Sequence, residues 1–222
     1  MKFEDRIDAG KQLAEKIPSE WECATIVYGI TFGGTISALP VANKLRAKLY
    51  PAFITKLPIP WSPEKAFGMV ASDGDVVMDE GQYRQIGLSF MDVQKIARTK
   101  LAELKRREAN IAIEGGLPKS LRNQNVIIVD DGITTGYTAQ GVIKWLQKKG
   151  VENIFLASPV AHASAVEHLS TACSGVFALI NSPNKVFAVS SYYKDFNPVG
   201  DKEVRETIKN NRDFLLTVND QF

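Results

Sequence analysis

The run at residues 125–138, NVIIVDDGITTGYT, constrains this chain more than any other part of it. Four apolar residues, Val126, Ile127, Ile128 and Val129, end in two adjacent acids, Asp130 and Asp131. A glycine- and threonine-rich stretch follows, and then an amphipathic segment that closes at Gly150. A short apolar run bounded by turn residues reads as a buried strand, and helical spacing after it reads as a helix. Such a strand–loop–helix unit sets both carboxylates at the carboxyl end of a strand. It also sets a cluster of backbone N–H groups and hydroxyls at a helix N-terminus. The first amides of a helix have no intrahelical partner, and the dipole adds partial positive charge, so an anion is favoured there. One loop can therefore hold a phosphate and, beside it, the vicinal hydroxyls of a sugar, which donate hydrogen bonds to ionised carboxylates.

Two acids at a strand end also occur as a Walker B pair, as a phosphoacceptor site and as a plain solvated turn. A Walker B pair needs a G-x-x-x-x-G-K-[ST] loop elsewhere. The nearest glycine-rich stretch, GITFGGT at residues 29–35, reads as a loop and lacks the lysine. A phosphoacceptor site has no need of Thr-Thr-Gly-x-Thr directly after the acids.

Around this unit the chain alternates helices and strands. Helices are expected at 5–17, closed by Pro18, and at 36–47, 89–110, 137–149 and 161–169. Strands are expected at 24–30, 48–55, 125–129, 153–160 and 175–180. Ser89 with Asp92 looks like a capping pair for the long helix. The stretch LPIPWSP at 57–63 reads as an irregular loop, and 66–80 as short strands around the turn Asp73-Gly74. Alternation of this kind predicts a three-layer α/β/α fold with a mainly parallel twisted sheet. The region 57–118 is expected to be a lid-like hairpin and long helical insertion within a single domain spanning 1–222. Ligands in such sheets bind at the carboxyl ends of strands near a switch in strand order, which is where Asp130 and Asp131 fall.

The balance of 27 basic and 25 acidic residues, a net charge of +2, argues against nucleic acid as a partner. No run approaches the ~20 apolar residues of a membrane span, and the first ten residues are charged, so the cytoplasm is the expected compartment. Cys23 and Cys173 show no metal spacing and are expected to be reduced thiols.

The stretch VIIVDDGITTG resembles the 5-phosphoribosyl-1-pyrophosphate (PRPP) signature of type I phosphoribosyltransferases. The resemblance extends through Phe3, Asp5, Arg6, Ala9 and Gly10 at the start, and through Thr55-Lys56, Pro63-Glu64 and Ala66-Phe67-Gly68. It continues in Arg106-Arg107-Glu108, Ser158-Pro159-Val160, Tyr193 with Asp195-Phe196, and Asp201 with Glu203-Val204. What it implies is transfer of 5-phosphoribosyl from PRPP to a nitrogen acceptor, a nucleobase in most of the family, with release of pyrophosphate. It implies that Asp130 and Asp131 hold the ribose hydroxyls. It implies that Gly132, Ile133, Thr134, Thr135, Gly136, Tyr137 and Thr138 cradle the 5-phosphate. A Mg²⁺ cofactor is implied, met by Asp130 and Asp131 through substrate or water, and a homodimer is the expected assembly. Thr31, Phe32, Gly33, Gly34 and Thr35 are the implied pyrophosphate loop, with Lys56 as a catalytic cation; Lys56 reads equally as an exposed lysine at a strand end.

One departure stands out. The branch carries Pro-Arg-Gly-Gly where this chain has Thr31-Phe32-Gly33-Gly34. A guanidinium grips pyrophosphate through bidentate hydrogen bonds and a phenyl ring does not. This leaves a second function open: a PRPP- or nucleotide-binding regulatory protein without efficient catalysis. For the acceptor, Tyr192, Tyr193 and Phe196 read as stacking or as packing residues. His162 reads as a general base or as a helix cap, and His168 as surface. Arg84 and Arg98 read as phosphate ligands or as solvated charges.

Overall fold

The computed structural model describes residues 2–78, 85–113, 118 and 120–219. Arg84 and part of the turn region near Gly115 and Gly116 lie outside them. In chain order the elements are α1 (Arg6–Lys16), β1 (Ile26–Ile30), α2 (Thr31–Lys44), β2 (Lys48–Ala52), β3 (Ile54–Ile59), β4 (Ser62–Ala71) and β5 (Val76–Met78). They continue with α3 (Phe90–Ile111), β6 (Asn125–Val129), α4 (Tyr137–Lys148), β7 (Asn153–His162), α5 (Ala163–Ser170), β8 (Gly175–Ser182) and α6 (Asp201–Asn219). The chain forms two compact units: Met1–Ala52 with Ile113–Phe222, and Phe53–Ala112.

The larger unit is built on a five-stranded parallel sheet of order β2-β1-β6-β7-β8. Its central strands are apolar on both faces, as a doubly covered parallel sheet requires; Val126, Ile127, Ile128 and Val129 are all fully buried. Successive side chains point to opposite faces. Val27, Ile127, Val129 and Ala157 pack with Leu13 of α1 and Ala38 and Val41 of α2. Tyr28 meets the edge of the α4 residue Trp145, with ring centroids 5.7 Å apart. The chain runs from β1 outward to β2, then returns to β6 and proceeds the other way through β7 and β8. Strand order therefore reverses between β1 and β6, and the crevice at their carboxyl ends is the switch point where such folds bind ligands.

Several elements differ from the sequence expectation. The loop expected at 29–35 is absent: β1 runs to Ile30 and α2 begins at Thr31. Thr31 alone takes the corner, with φ of 59°. The strand expected at 48–55 is two strands, because β2 ends at Ala52 and β3 begins at Ile54. The irregular loop expected at 57–63 is mostly a β3–β4 hairpin whose register shifts on either side of Pro58. Prolines are tolerated there because β3 is an edge strand of the sheet β3-β4-β5, and Pro63 precedes the part of β4 that pairs with β5.

This second unit is completed by α3. Its Ser89–Asp92 capping box forms as expected, and Val93 packs with Leu57, Phe67 and Val70. The helix α6 has no counterpart among the expected elements. Its Asn211 accepts from the Leu49 N–H at 2.9 Å and donates to the Ala47 carbonyl at 3.2 Å. One side chain thus satisfies backbone groups that the edge strand β2 would otherwise leave open.

Candidate functional site

At the end of β6 the Asp130 N–H donates to the Ala157 carbonyl at 3.2 Å, and Asp130 Oδ1 accepts from the Asp131 N–H at 3.0 Å. The loop that follows is pinned at its middle. Ile133 is buried, its N–H donates to the Val160 carbonyl, and its carbonyl accepts from the His162 N–H, both at 2.9 Å. Ile133 therefore anchors the loop on β7, while Thr134 and Thr135 stay exposed. Gly136 then takes φ of 74° as the residue before α4. A side chain there would be strained by that conformation, and its Cβ would lie 2.8 Å from Leu169. The positive φ turns the chain so that α4 starts at Tyr137, whose N–H donates to the Thr135 hydroxyl at 3.4 Å, with Thr138 in its first turn; a helix start of this kind favours an anion.

The neighbouring strand delivers a second helix N-terminus to the same place. After the Thr31 corner, the first turn of α2 carries Phe32, Gly33 and Gly34 against the acids. A Cβ on Gly33 would fall 2.0 Å from Asp131 Oδ2, and one on Gly34 would fall 2.7 Å from the Val129 carbonyl oxygen. Neither position admits a side chain, so the glycines here serve close approach and not a flexible loop. Thr35 is fully buried and its hydroxyl donates to the Thr31 carbonyl at 2.8 Å; that hydroxyl works inside the helix.

The chain's N-terminus and the segment after β8 converge on Asp131. Phe3 bridges to Tyr193, the Phe3 N–H donates to the Tyr192 carbonyl, and the Lys194 N–H donates to the Phe3 carbonyl, both at 2.8 Å. This strap brings Arg6 to the site: its Nε lies 2.6 Å from Asp131 Oδ2, with the two side chains 12% and 13% exposed. The Arg6 guanidinium lies 3.9 Å over the Phe196 ring and donates from Nη1 to the Asn197 carbonyl at 2.8 Å. Tyr193 donates its hydroxyl to the Asp131 carbonyl at 2.5 Å. Burial, with the negative charge of Asp131 adding to it, pushes the Tyr193 phenol far above its ordinary range, so it remains a donor.

The sequence marks Arg6 as part of the opening match and Tyr193 as a stacking or packing residue, but it places neither against Asp131, where the fold puts them. Their signal was present in the short matches around Phe3-Arg6 and Tyr193-Phe196, which only the fold brings together. Tyr193 and Phe196 pack against each other at 4.8 Å, and Tyr192 donates to Ser182 at 2.9 Å while packing on Phe187. All three hold the strap. His162 caps α5, its Nδ1 accepting from the Ser164 N–H, and His168 is exposed. Lys56 is exposed on β3 and Arg98 lies on α3, both in the smaller unit. No group of three or more His, Cys, Asp or Glu side chains converges among the described residues, and no described helix is long and apolar enough to cross a membrane.

The model of the phosphoribosyl transferase domain matches residues 3–195. Two proteins of Mycobacterium tuberculosis, from two strains and provisionally named phosphoribosyl transferases, are each 33% identical over 202 residues. The match covers 91% of this chain and 45% of each of theirs, so the chain spans about half the length of these relatives. The crystal structure of TT1426 from Thermus thermophilus is 30% identical, with a TM-score of 0.81 over 95% of this chain and 99% of that one.

Proposed function

Since the chain belongs to the phosphoribosyl transferase domain family, we propose that it transfers 5-phosphoribosyl from PRPP to a nitrogen of a nucleobase-type acceptor, releasing pyrophosphate. The observation that carries this reading is the pairing of two helix N-termini, those of α2 and α4, on adjacent parallel strands with Asp130 and Asp131 between them. PRPP has anionic groups at both ends of its ribose, and each helix start suits one of them.

In this reading the amides and hydroxyls of Thr134, Thr135, Tyr137 and Thr138 receive the 5-phosphate, with Gly132 and Gly136 shaping the turn. The ribose hydroxyls donate to Asp130 and Asp131, which fixes the ring and sets negative charge near the anomeric carbon, where positive charge builds as the bond to pyrophosphate breaks. The amides of Phe32 and Gly33 at the start of α2 receive the departing pyrophosphate. The donor set fits Mg²⁺: the two hard carboxylates of Asp130 and Asp131 would suit an ion that takes most of its ligands from substrate oxygens and water. Bound there, Mg²⁺ neutralises charge on the leaving group.

A second reading, a regulator that binds PRPP or a nucleotide without turnover, is favoured by Phe32 alone. Incubation with PRPP, Mg²⁺ and each common purine and pyrimidine base separates the two. Release of pyrophosphate with at least one base is expected. Tight PRPP binding without release for any base contradicts transfer and leaves the regulator.

A further inference from the structure

The corner after β1 carries phenylalanine at position 32, yet a guanidinium is present beside it from another part of the chain. Arg6 is the first residue of α1, and the Asp5 side chain fixes that helix start by accepting from the Asp8 N–H at 2.7 Å. From there the Arg6 side chain reaches the first turn of α2: a Cβ built on Gly33 would lie 2.7 Å from Arg6 Nε. The guanidinium is held flat on Phe196 and at one edge by Asn197. Its Nη2 has no hydrogen-bond partner among the described residues.

We infer that Arg6 is the guanidinium of the pyrophosphate subsite, a substrate-binding residue that pairs with Asp131 only while the site lacks ligand. This rests on the transferase reading above. A site that accepts several phosphate charges beside two carboxylates needs a cation that changes partners as the ligand arrives. Ribose hydroxyls donate to the Asp131 carboxylate and displace Nε from Oδ2. The freed Nε and the unpartnered Nη2 lie along one edge of the guanidinium and form the fork that matches two phosphate oxygens. The amides of Phe32 and Gly33 receive the same group from the α2 side. The aromatic face of Phe196 keeps the plane of the fork fixed while its partner changes.

Two ligands that differ only in the pyrophosphate test this assignment. Calorimetric titration would give the affinity for PRPP and for ribose 5-phosphate, each with Mg²⁺, in the wild-type chain, Arg6→Gln and Arg6→Lys. Arg6→Gln is expected to weaken PRPP by about tenfold or more and to change ribose 5-phosphate by less than about threefold. Arg6→Lys, which keeps the charge and loses the fork, is expected to fall between wild type and Arg6→Gln for PRPP only. It also reports the same ratio if Arg6→Gln proves unfolded by circular dichroism. Equal losses for both ligands, or no loss for either, overturn the assignment while leaving PRPP binding intact. A wild-type chain that binds ribose 5-phosphate and PRPP equally overturns it as well. A wild-type chain that binds neither removes the transferase reading, and the role of Arg6 with it.

Discussion

The loops after β1 and β6 sit side by side on adjacent strands, and they are made in different ways. The β6 loop is local: its acids, its pinning isoleucine, its left-handed glycine and its helix start all lie in one run from Asp130 to Thr138. The β1 corner is assembled. It needs Thr31 at φ 59°, two glycines pressed against Asp130 and Asp131, and a guanidinium from α1. The Arg6 contacts to Asp131 and Asn197 span 125 and 191 positions of sequence. A phosphate loop contained in one supersecondary unit travels as a motif. The corner after β1 instead draws its cation, Arg6, from a distant part of the chain.

The sharpest way to break this comparison is Asp131→Asn, since Asp131 belongs to both loops. In the proposed reading the substitution removes the charge to which the ribose hydroxyls donate, so PRPP affinity should fall on the order of a hundredfold. An unchanged affinity by titration would remove Asp131 from the site. Gly33→Ala acts on the assembled side only. Its Cβ would lie 2.0 Å from Asp131 Oδ2, so either the carboxylate or α2 must shift. Overpacking of this kind costs about 1–3 kcal/mol, read as a drop in Tm of about 2–4 °C per kcal/mol in a chain of this size. A Tm within a degree of wild type would show that the corner is looser than described.

Phe32→Arg sharpens the comparison from the other direction. If the corner is the pyrophosphate side, a second guanidinium there should tighten pyrophosphate by up to about tenfold, and no change would place position 32 elsewhere. The smallest effect is expected from Tyr193→Phe. It removes one hydrogen bond to the Asp131 carbonyl, worth about 1 kcal/mol. Tm should fall by about 2–4 °C, with PRPP affinity reduced a few-fold at most. A loss as large as that of Asp131→Asn would mean that Tyr193 itself meets the ligand.

The same local-against-assembled distinction explains how much was legible in the sequence. The parallel sheet was readable because β1 and β6 are apolar on both faces, and the capping box of α3 was readable because its two partners are three residues apart. Glycine enrichment at 29–35 suggested a loop, although those glycines serve close packing of α2 on the acids and a single threonine makes the turn. Prolines at 58, 60 and 63 suggested irregular chain, although an edge strand tolerates them. Helix α6 escaped because its inward residues Val204, Thr207 and Asn211 mix apolar and polar types, and Asn211 acts on a strand 162 positions away. Arg6 was readable only as one residue of the short match from Phe3 to Gly10; its contact with Asp131, 125 positions away, shows only in the fold.

A crystal structure with PRPP and Mg²⁺ bound tests the central claim most directly. The account predicts the 5-phosphate on Thr134 to Thr138 at the start of α4, the ribose hydroxyls on Asp130 and Asp131, and the pyrophosphate at Phe32 and Gly33 with Arg6 turned toward it from Asp131. Pyrophosphate away from the α2 start, or a 5-phosphate that does not touch the β6 loop, would contradict it.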